Sequence, residues 1–208
     1  MHDEAFREQL AVTPVVAILR GLQPEHLLPT IDALAQGGIT LLEIALRRPE
    51  DTALIEQATR AFPHLHIGAG TVTSAELAER AVASGAAFLL TPHVAEDAIL
   101  AAARLGVPVI PGAFTPTEIQ RCLTLGCAAV KLFPAHVGGP ATVRALRSPY
   151  PDLPLIAVGG VTPDNLRDYL SAGAIGVGLG SELVRVGPGT PDFAAITNRA
   201  RRCLAPSQ

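Results

Sequence analysis

A glycine, with small residues around it, recurs just ahead of short apolar runs along most of the chain. Gln36-Gly37-Gly38-Ile39 precedes Leu41–Leu46, and Ser84-Gly85-Ala86 precedes Phe88–Leu90. The same punctuation stands at Leu105-Gly106-Val107, Leu125-Gly126-Cys127 and Ala172-Gly173-Ala174. Glycine in these places suits the left-handed residue that ends a helix. The runs that follow are continuously apolar rather than alternating, as expected of parallel strands covered on both faces. Helix starts are marked too. Thr115-Pro116-Thr117-Glu118 offers an N-cap, a proline at the first helical position and a glutamate at the third, and Thr73-Ser74-Ala75-Glu76 and Thr162-Pro163-Asp164 are similar.

This rhythm predicts eight strands, near 15–19, 40–46, 66–70, 87–91, 107–111, 128–133, 154–158 and 175–179, with helices between them. Eight alternating units fit a (β/α)8 TIM barrel, an α/β fold, as one domain over 1–208. An open doubly wound sheet is the alternative. It usually has fewer strands and a Gly-rich first turn, and Arg20-Gly21-Leu22 is not a dinucleotide fingerprint. A further helix within 1–13, with Phe6 and Leu10 on one face, is expected to close the bottom of the barrel.

At 208 residues and 49% hydrophobic, the chain can bury one substantial core. A net charge of −3 without a basic run argues against nucleic acid or an anionic membrane as the main partner. No apolar run is long enough for a membrane span, and no export signal is seen, so a cytoplasmic location is expected. Cys122, Cys127 and Cys203 make no disulfide framework and read as reduced, structural thiols.

The chain has 15 arginines but a single lysine, Lys131, set in Ala128-Ala129-Val130-Lys131-Leu132-Phe133-Pro134. An amine is costly to bury in such a run. Once desolvated it can lose its proton and attack a carbonyl, which a guanidinium does not do. A second charge in an apolar run is Glu43, inside Leu41-Leu42-Glu43-Ile44-Ala45-Leu46. Together they would give a nucleophile and a base in one pocket; the plain alternative is a structural ion pair.

In a barrel of this kind, function gathers at the carboxyl ends of the strands. Read in order, those ends carry Arg20, Glu43 with Arg47, Gly70-Thr71, Thr91-Pro92-His93, Pro111-Gly112, Lys131 with Phe133, Gly159-Gly160 and Gly180-Ser181. Arg20 and Arg47 are donors suited to a carboxylate, although Arg47 or its neighbour Arg48 could be a solvated helix-start residue. Thr71 follows Gly68-Ala69-Gly70, where small residues would let a ligand approach the backbone, or it could cap the next helix. Gly159-Gly160 leads to Val161-Thr162-Pro163, and Gly178-Leu179-Gly180-Ser181 leads to Glu182-Leu183-Val184. Two Gly-rich turns, each read as entering a helix, suggest a phosphate cradle. His64 and His66 lie at the far end of strand three and read as structural, with no third metal ligand nearby. His93 and His136 are near the rim.

These segments resemble the 2-keto-3-deoxy-6-phosphogluconate (KDPG) and 4-hydroxy-2-oxoglutarate (KHG) aldolases, a class I family. The carriers are Pro14-Val15-Val16-Ala17-Ile18-Leu19-Arg20, Leu42-Glu43-Ile44-Ala45-Leu46-Arg47, Gly68-Ala69-Gly70-Thr71-Val72, Pro111-Gly112, Lys131-Leu132-Phe133-Pro134-Ala135, Gly159-Gly160-Val161 and Gly180-Ser181. The resemblance implies that Lys131 forms a Schiff base with pyruvate and Glu43 shuttles protons. It places Arg47, Thr71 and Arg20 on the pyruvate carboxylate, Phe133 and the neighbouring Pro92 against the substrate, and Gly159, Gly160, Thr162, Gly180 and Ser181 around the phosphate. It implies a phosphorylated keto acid as ligand, no metal or other cofactor, a homotrimer, and a place at the end of the Entner–Doudoroff route.

Ala45 stands where family members often carry threonine. Val158 before Gly159-Gly160, and Ala17-Ile18-Leu19-Arg20-Gly21, resemble the sister branch acting on 2-keto-3-deoxy-6-phosphogalactonate, whereas Arg47 resembles the gluconate branch. The expected substrate is the gluconate sugar, with a galactonate or dual-specificity enzyme as the alternative. Two other classes stay open: another phosphate-binding barrel enzyme, such as an isomerase or a thiamine-phosphate-synthase-like transferase, and a non-catalytic phosphosugar-binding barrel.

Overall fold

Nine short parallel strands form one sheet, β1 (Val15–Leu19), β2 (Leu41–Ala45), β3 (His66–Gly70), β4 (Leu89–Leu90), β5 (Val109–Ile110), β6 (Gly112–Ala113), β7 (Val130–Leu132), β8 (Leu155–Val158) and β9 (Gly176–Leu179). The computed structural model describes residues 1–184 and 189–205. Residues 185–188 and 206–208, part of the 1–208 domain expected from the sequence, lie outside the described residues. The strand order is β5-β4-β3-β2-β1-β9-β8-β7-β6. The two end strands are halves of one stave, because only Pro111 separates β5 from β6. Proline has no N–H to give to the ladder. Before it, β5 pairs with β4, and after it, β6 pairs with β7. The eight expected strands are therefore eight staves of a closed barrel, one of them interrupted.

Helices α2 (Pro24–Gln36), α3 (Thr52–Ala61), α4 (Ala75–Ala83), α5 (Glu96–Leu105), α6 (Pro116–Leu125), α7 (Gly139–Arg147), α8 (Leu166–Ser171) and α9 (Phe193–Leu204) wrap the outside. Their starts follow the local chemistry. Thr115 Oγ1 accepts the Glu118 N–H at 3.3 Å, and Glu118 Oε2 accepts the Thr115 N–H at 2.8 Å, closing a reciprocal capping box on α6. Ser74 caps α4 by accepting the Leu77 N–H at 3.2 Å. α5 ends at Gly106 in the left-handed conformation, φ 68°. Two expected helix starts differ. Residues after Gly160 form a turn, and α8 begins only at Leu166; Thr162 Oγ1 instead accepts the N–H groups of Asp164 and Asn165, both at 3.2 Å. After Gly180 the chain makes a single turn, with the Leu183 and Val184 N–H groups donating to the Gly180 carbonyl at 3.0 and 2.9 Å.

Side chains alternate between two apolar layers. Val15, Ala17 and Leu19 face the helices, whereas Val16 and Ile18 face the barrel interior. On β8, Leu155 and Ala157 face out and Ile156 and Val158 face in. The same parity turns Glu43 on β2 and Lys131 on β7 inward. Helix α1 (Asp3–Val12) closes the amino-terminal end of the barrel, as expected. Phe6 and Leu10 are fully buried in the inner layer, and the Phe6 ring sits 5.3 Å from that of Phe88. Arg7 Nη1 donates to the Ala128 carbonyl at 3.2 Å, pinning the helix to the base of β7. Burying a phenylalanine contributes about 1.5–3 kcal/mol relative to leaving it exposed.

Candidate active site

Parity and register put a carboxyl and an amine inside the upper barrel. Glu43 is wholly buried and Lys131 is 4% exposed. Neither Glu43 oxygen has a hydrogen-bond partner among the described residues. Burial pushes the Glu43 carboxyl above its ordinary range, against the opposing pull of Lys131 and then Arg20. Burial also pulls the Lys131 amine below its ordinary range; Glu43 works the other way, and Arg20 adds to the depression. Low dielectric thus moves both groups toward their neutral forms, the direction that favours an amine as nucleophile and a carboxyl as proton carrier.

Room for Glu43 comes from the next strand. A methyl group built on Gly70 would overlap Glu43 Oε1. Gly68 similarly makes way for the Phe88 ring. The two glycines before Thr71 therefore make room for the protein's own side chains. Thr71 itself has φ 64°, a left-handed conformation that is strained for a β-branched residue. Such strain is concentrated at functional sites. Ser74, not Thr71, caps α4.

The rim residues fall into two groups. A cavity of about 360 Å3 is bounded by Arg20, Phe133, Gly159, Gly160, Gly180 and Ser181, together with Ile18 and Glu182. Lys131 Nζ lies 5.0 Å from the centroid of the Phe133 ring, which is 41% exposed and links the amine to this cavity. Gly160 has φ 74°, and a methyl group there would overlap His136. Among the described residues, no α-helix starts directly after either Gly turn.

On the other side, Arg47 and Thr71 line a second cavity of about 270 Å3. Arg47 also borders a third, of about 450 Å3, with Ala45 and Asp51. In the 3-10 turn Pro49–Asp51 the Arg48 guanidinium meets Asp51 Oδ1 at 3.3 Å, while the Arg47 side chain makes no ion pair among the described residues. Four predicted residues line none of these cavities, the buried Glu43 and Lys131 among them. Pro92 is half-buried with its carbonyl against Gly112, and Thr162 is occupied in its turn. Thr91 is buried and donates to the His93 carbonyl. Among the described residues, no group of three or more His, Cys, Asp or Glu side chains is placed to hold a metal. No helix among them is long and apolar enough to cross a membrane. Sequence reading missed Asp51, although proline at the first position and an acid at the third of Pro49-Glu50-Asp51 is a capping signature.

Residues 6–199 match the model of a family described as KDPG and KHG aldolase. A probable 2-dehydro-3-deoxy-6-phosphogalactonate aldolase of Rhizobium meliloti is 40% identical over 194 residues, covering 92% of this chain and 90% of that protein. A 2-dehydro-3-deoxy-phosphogluconate aldolase of Pseudomonas aeruginosa is 40% identical over 161 residues, covering 77% and 72%. The crystal structure of KDPG aldolase from Legionella pneumophila, with pyruvate captured as a covalent carbinolamine, superposes with a TM-score of 0.84 at 29% identity, covering 94% of this chain and 96% of that one. With the parity of its strands, its buried amine and its inward carboxyl, the chain belongs to the KDPG and KHG aldolase family.

Proposed function

We propose that the chain is a class I aldolase that cleaves 2-keto-3-deoxy-6-phosphogluconate to pyruvate and D-glyceraldehyde 3-phosphate. The observation that carries this reading is the buried Lys131 amine, depressed by burial and set beside the buried Glu43. The neutral amine attacks the C2 ketone, and water leaves to give an iminium ion. Glu43 takes the proton from the 4-hydroxyl. As the C4 carbonyl forms, the C3–C4 bond breaks and its electron pair moves into the iminium, leaving an enamine and the free aldehyde. Protonation at C3 and hydrolysis then release pyruvate and restore the amine. Arg47 and Thr71 hold the substrate carboxylate, with Arg20 reaching it from the cavity lined by Phe133. Phe133 packs on the pyruvyl carbons, with Pro92 nearby. The turns at Gly159-Gly160, braced through Thr162 and Asn165, and at Gly180-Ser181 orient the phosphate, whose binding far from the breaking bond helps align it. The chemistry needs no metal or other cofactor. Residues 1–208 act as one barrel domain, assembled as a homotrimer. The cytoplasm, where a phosphorylated sugar acid is retained by its charge, is the place for this reaction.

The galactonate epimer is the second reading. It is favoured by Val158 ahead of Gly159-Gly160 and by the Rhizobium relative matching over nearly the whole chain.

Incubation with pyruvate and borohydride, followed by intact mass and peptide mapping, tests the proposal. The reading expects one pyruvyl adduct, on Lys131, and none in Lys131→Arg, which also loses cleavage. Folded protein without an adduct, or near-normal turnover in Lys131→Arg, would dismiss the Schiff base. Comparing turnover of the two epimeric sugars assigns the substrate.

A further inference from the structure

Arg47 is carried on a stretch whose successive backbone N–H groups are all tied down. The Leu46 N–H donates to the Gly70 carbonyl at 2.9 Å, the last barrel bond of this stave. The next two N–H groups, of Arg47 and Arg48, both donate to Asp51 Oδ2, at 2.9 and 3.1 Å. Asp51 Oδ1 holds the Arg48 guanidinium at 3.3 Å, and the Asp51 side chain is 13% exposed. Burial raises the Asp51 carboxyl, but the two N–H bonds and Arg48 outweigh it and hold it below the usual carboxylate range.

The neighbouring Arg48 is paired with Asp51, and Arg47 is left with its backbone fixed and its guanidinium unpaired among the described residues. It borders the cavity that also holds Thr71. A long side chain pivoting on a loose backbone gives up much of its orienting power, since a displacement of about 1 Å can cost on the order of a hundredfold in rate. We propose that Asp51 is a positioning residue for recognition of the substrate carboxylate: it clamps the Arg47 backbone so that the guanidinium meets that carboxylate beside Thr71. This rests on the proposed role of Arg47 in the aldolase reaction. Asp51 touches no substrate and acts through Arg47 alone.

The test measures the ketone concentration giving half-maximal borohydride trapping on Lys131, with pyruvate and with hydroxyacetone, which has no carboxylate. In Asp51→Ala the half-saturating pyruvate concentration rises on the order of tenfold, with the trapping rate at saturation retained. Asp51→Asn, which keeps one acceptor oxygen, shows a smaller rise and stands in if the alanine variant does not fold. Hydroxyacetone trapping is unchanged in both. In an Arg47→Gln background, replacing Asp51 adds nothing. An unchanged pyruvate dependence, an equal loss with hydroxyacetone, or a full extra loss in the Arg47→Gln background overturns the inference while leaving Lys131 chemistry intact. Absence of any adduct in the unmodified protein overturns the aldolase reading and this inference with it.

Discussion

Gly70 and Glu43 share one volume of the barrel: the space where a Gly70 side chain would stand is filled by Glu43 Oε1. The glycine on β3 is thus part of the definition of the carboxyl's position on β2. Gly70→Ala is expected to displace that carboxyl, lowering stability by about 1–3 kcal/mol through overpacking. Cleavage should fall on the order of a hundredfold. Urea unfolding and turnover measure the two effects; an alanine variant with unaltered cleavage would show that the carboxyl can move without consequence.

Glu43→Gln probes the electrostatics. The Lys131 amine already lies below its ordinary 10.5, chiefly by burial, and Glu43 is the group that raises it. Removing the carboxylate leaves the amine lower still. The acidic limb of pyruvate trapping should therefore move to lower pH, while cleavage slows about 10²- to 10⁴-fold through loss of the base. A limb that stays in place would reduce Glu43 to a distant bystander. The same depression has a sign for stability. The unfolded chain holds the Lys131 proton more tightly than the folded one, so the cost this group places on folding is relieved as pH rises through its folded pKa toward 10.5.

Gly160→Ala adds a methyl group where His136 already sits, at a φ of 74°. Left-handed backbone costs about 1–2 kcal/mol for a residue with a side chain. The turn should shift and lose charge-assisted bonds to the phosphate, each contributing about 1.5–3 kcal/mol. KM for the phosphorylated substrate is expected to rise about ten- to a hundredfold, with pyruvate trapping on Lys131 unaffected. Equal damage to both would place the fault in the barrel rather than in phosphate binding.

Thr30 on α2 is fully buried, and its hydroxyl has no hydrogen-bond partner among the described residues. Thr30→Val removes an unpaired polar group at nearly constant shape. It should raise stability by about 1 kcal/mol in chemical denaturation and leave turnover alone. A destabilised variant would show that the hydroxyl is satisfied in solution.

Much of this was readable from the chain because it depends on local pattern. The stave Val15–Leu19 and the stave His66–Gly70 match their expected limits, since each is an apolar run bounded by residues that favour turns. Glu43 and Lys131 stood out because a charge inside a β-rich apolar run has few structural uses. The break at Pro111 was visible as a proline, but that it transfers the chain from β4 to β7 is a matter of barrel closure. The helices expected after Gly160 and Gly180 are turns; Thr162-Pro163 caps a turn as readily as it caps a helix, and only the surrounding packing decides. Nothing in the sequence says which neighbouring side chain fills the space beside Gly70. Asp51 carried a capping signature, but its link to Arg47 needs the geometry of the loop.

The α1 plug has a kinetic consequence. Phe6 and Leu10 join the packed inner layer at the far end, so access to Lys131 is from the carboxyl ends of the strands. On the proposed chemistry, a two-part substrate joined by its keto-acid end to Lys131 would let its products out by that one route in sequence, the aldehyde half first and pyruvate, still tethered to the amine, only once water follows it in.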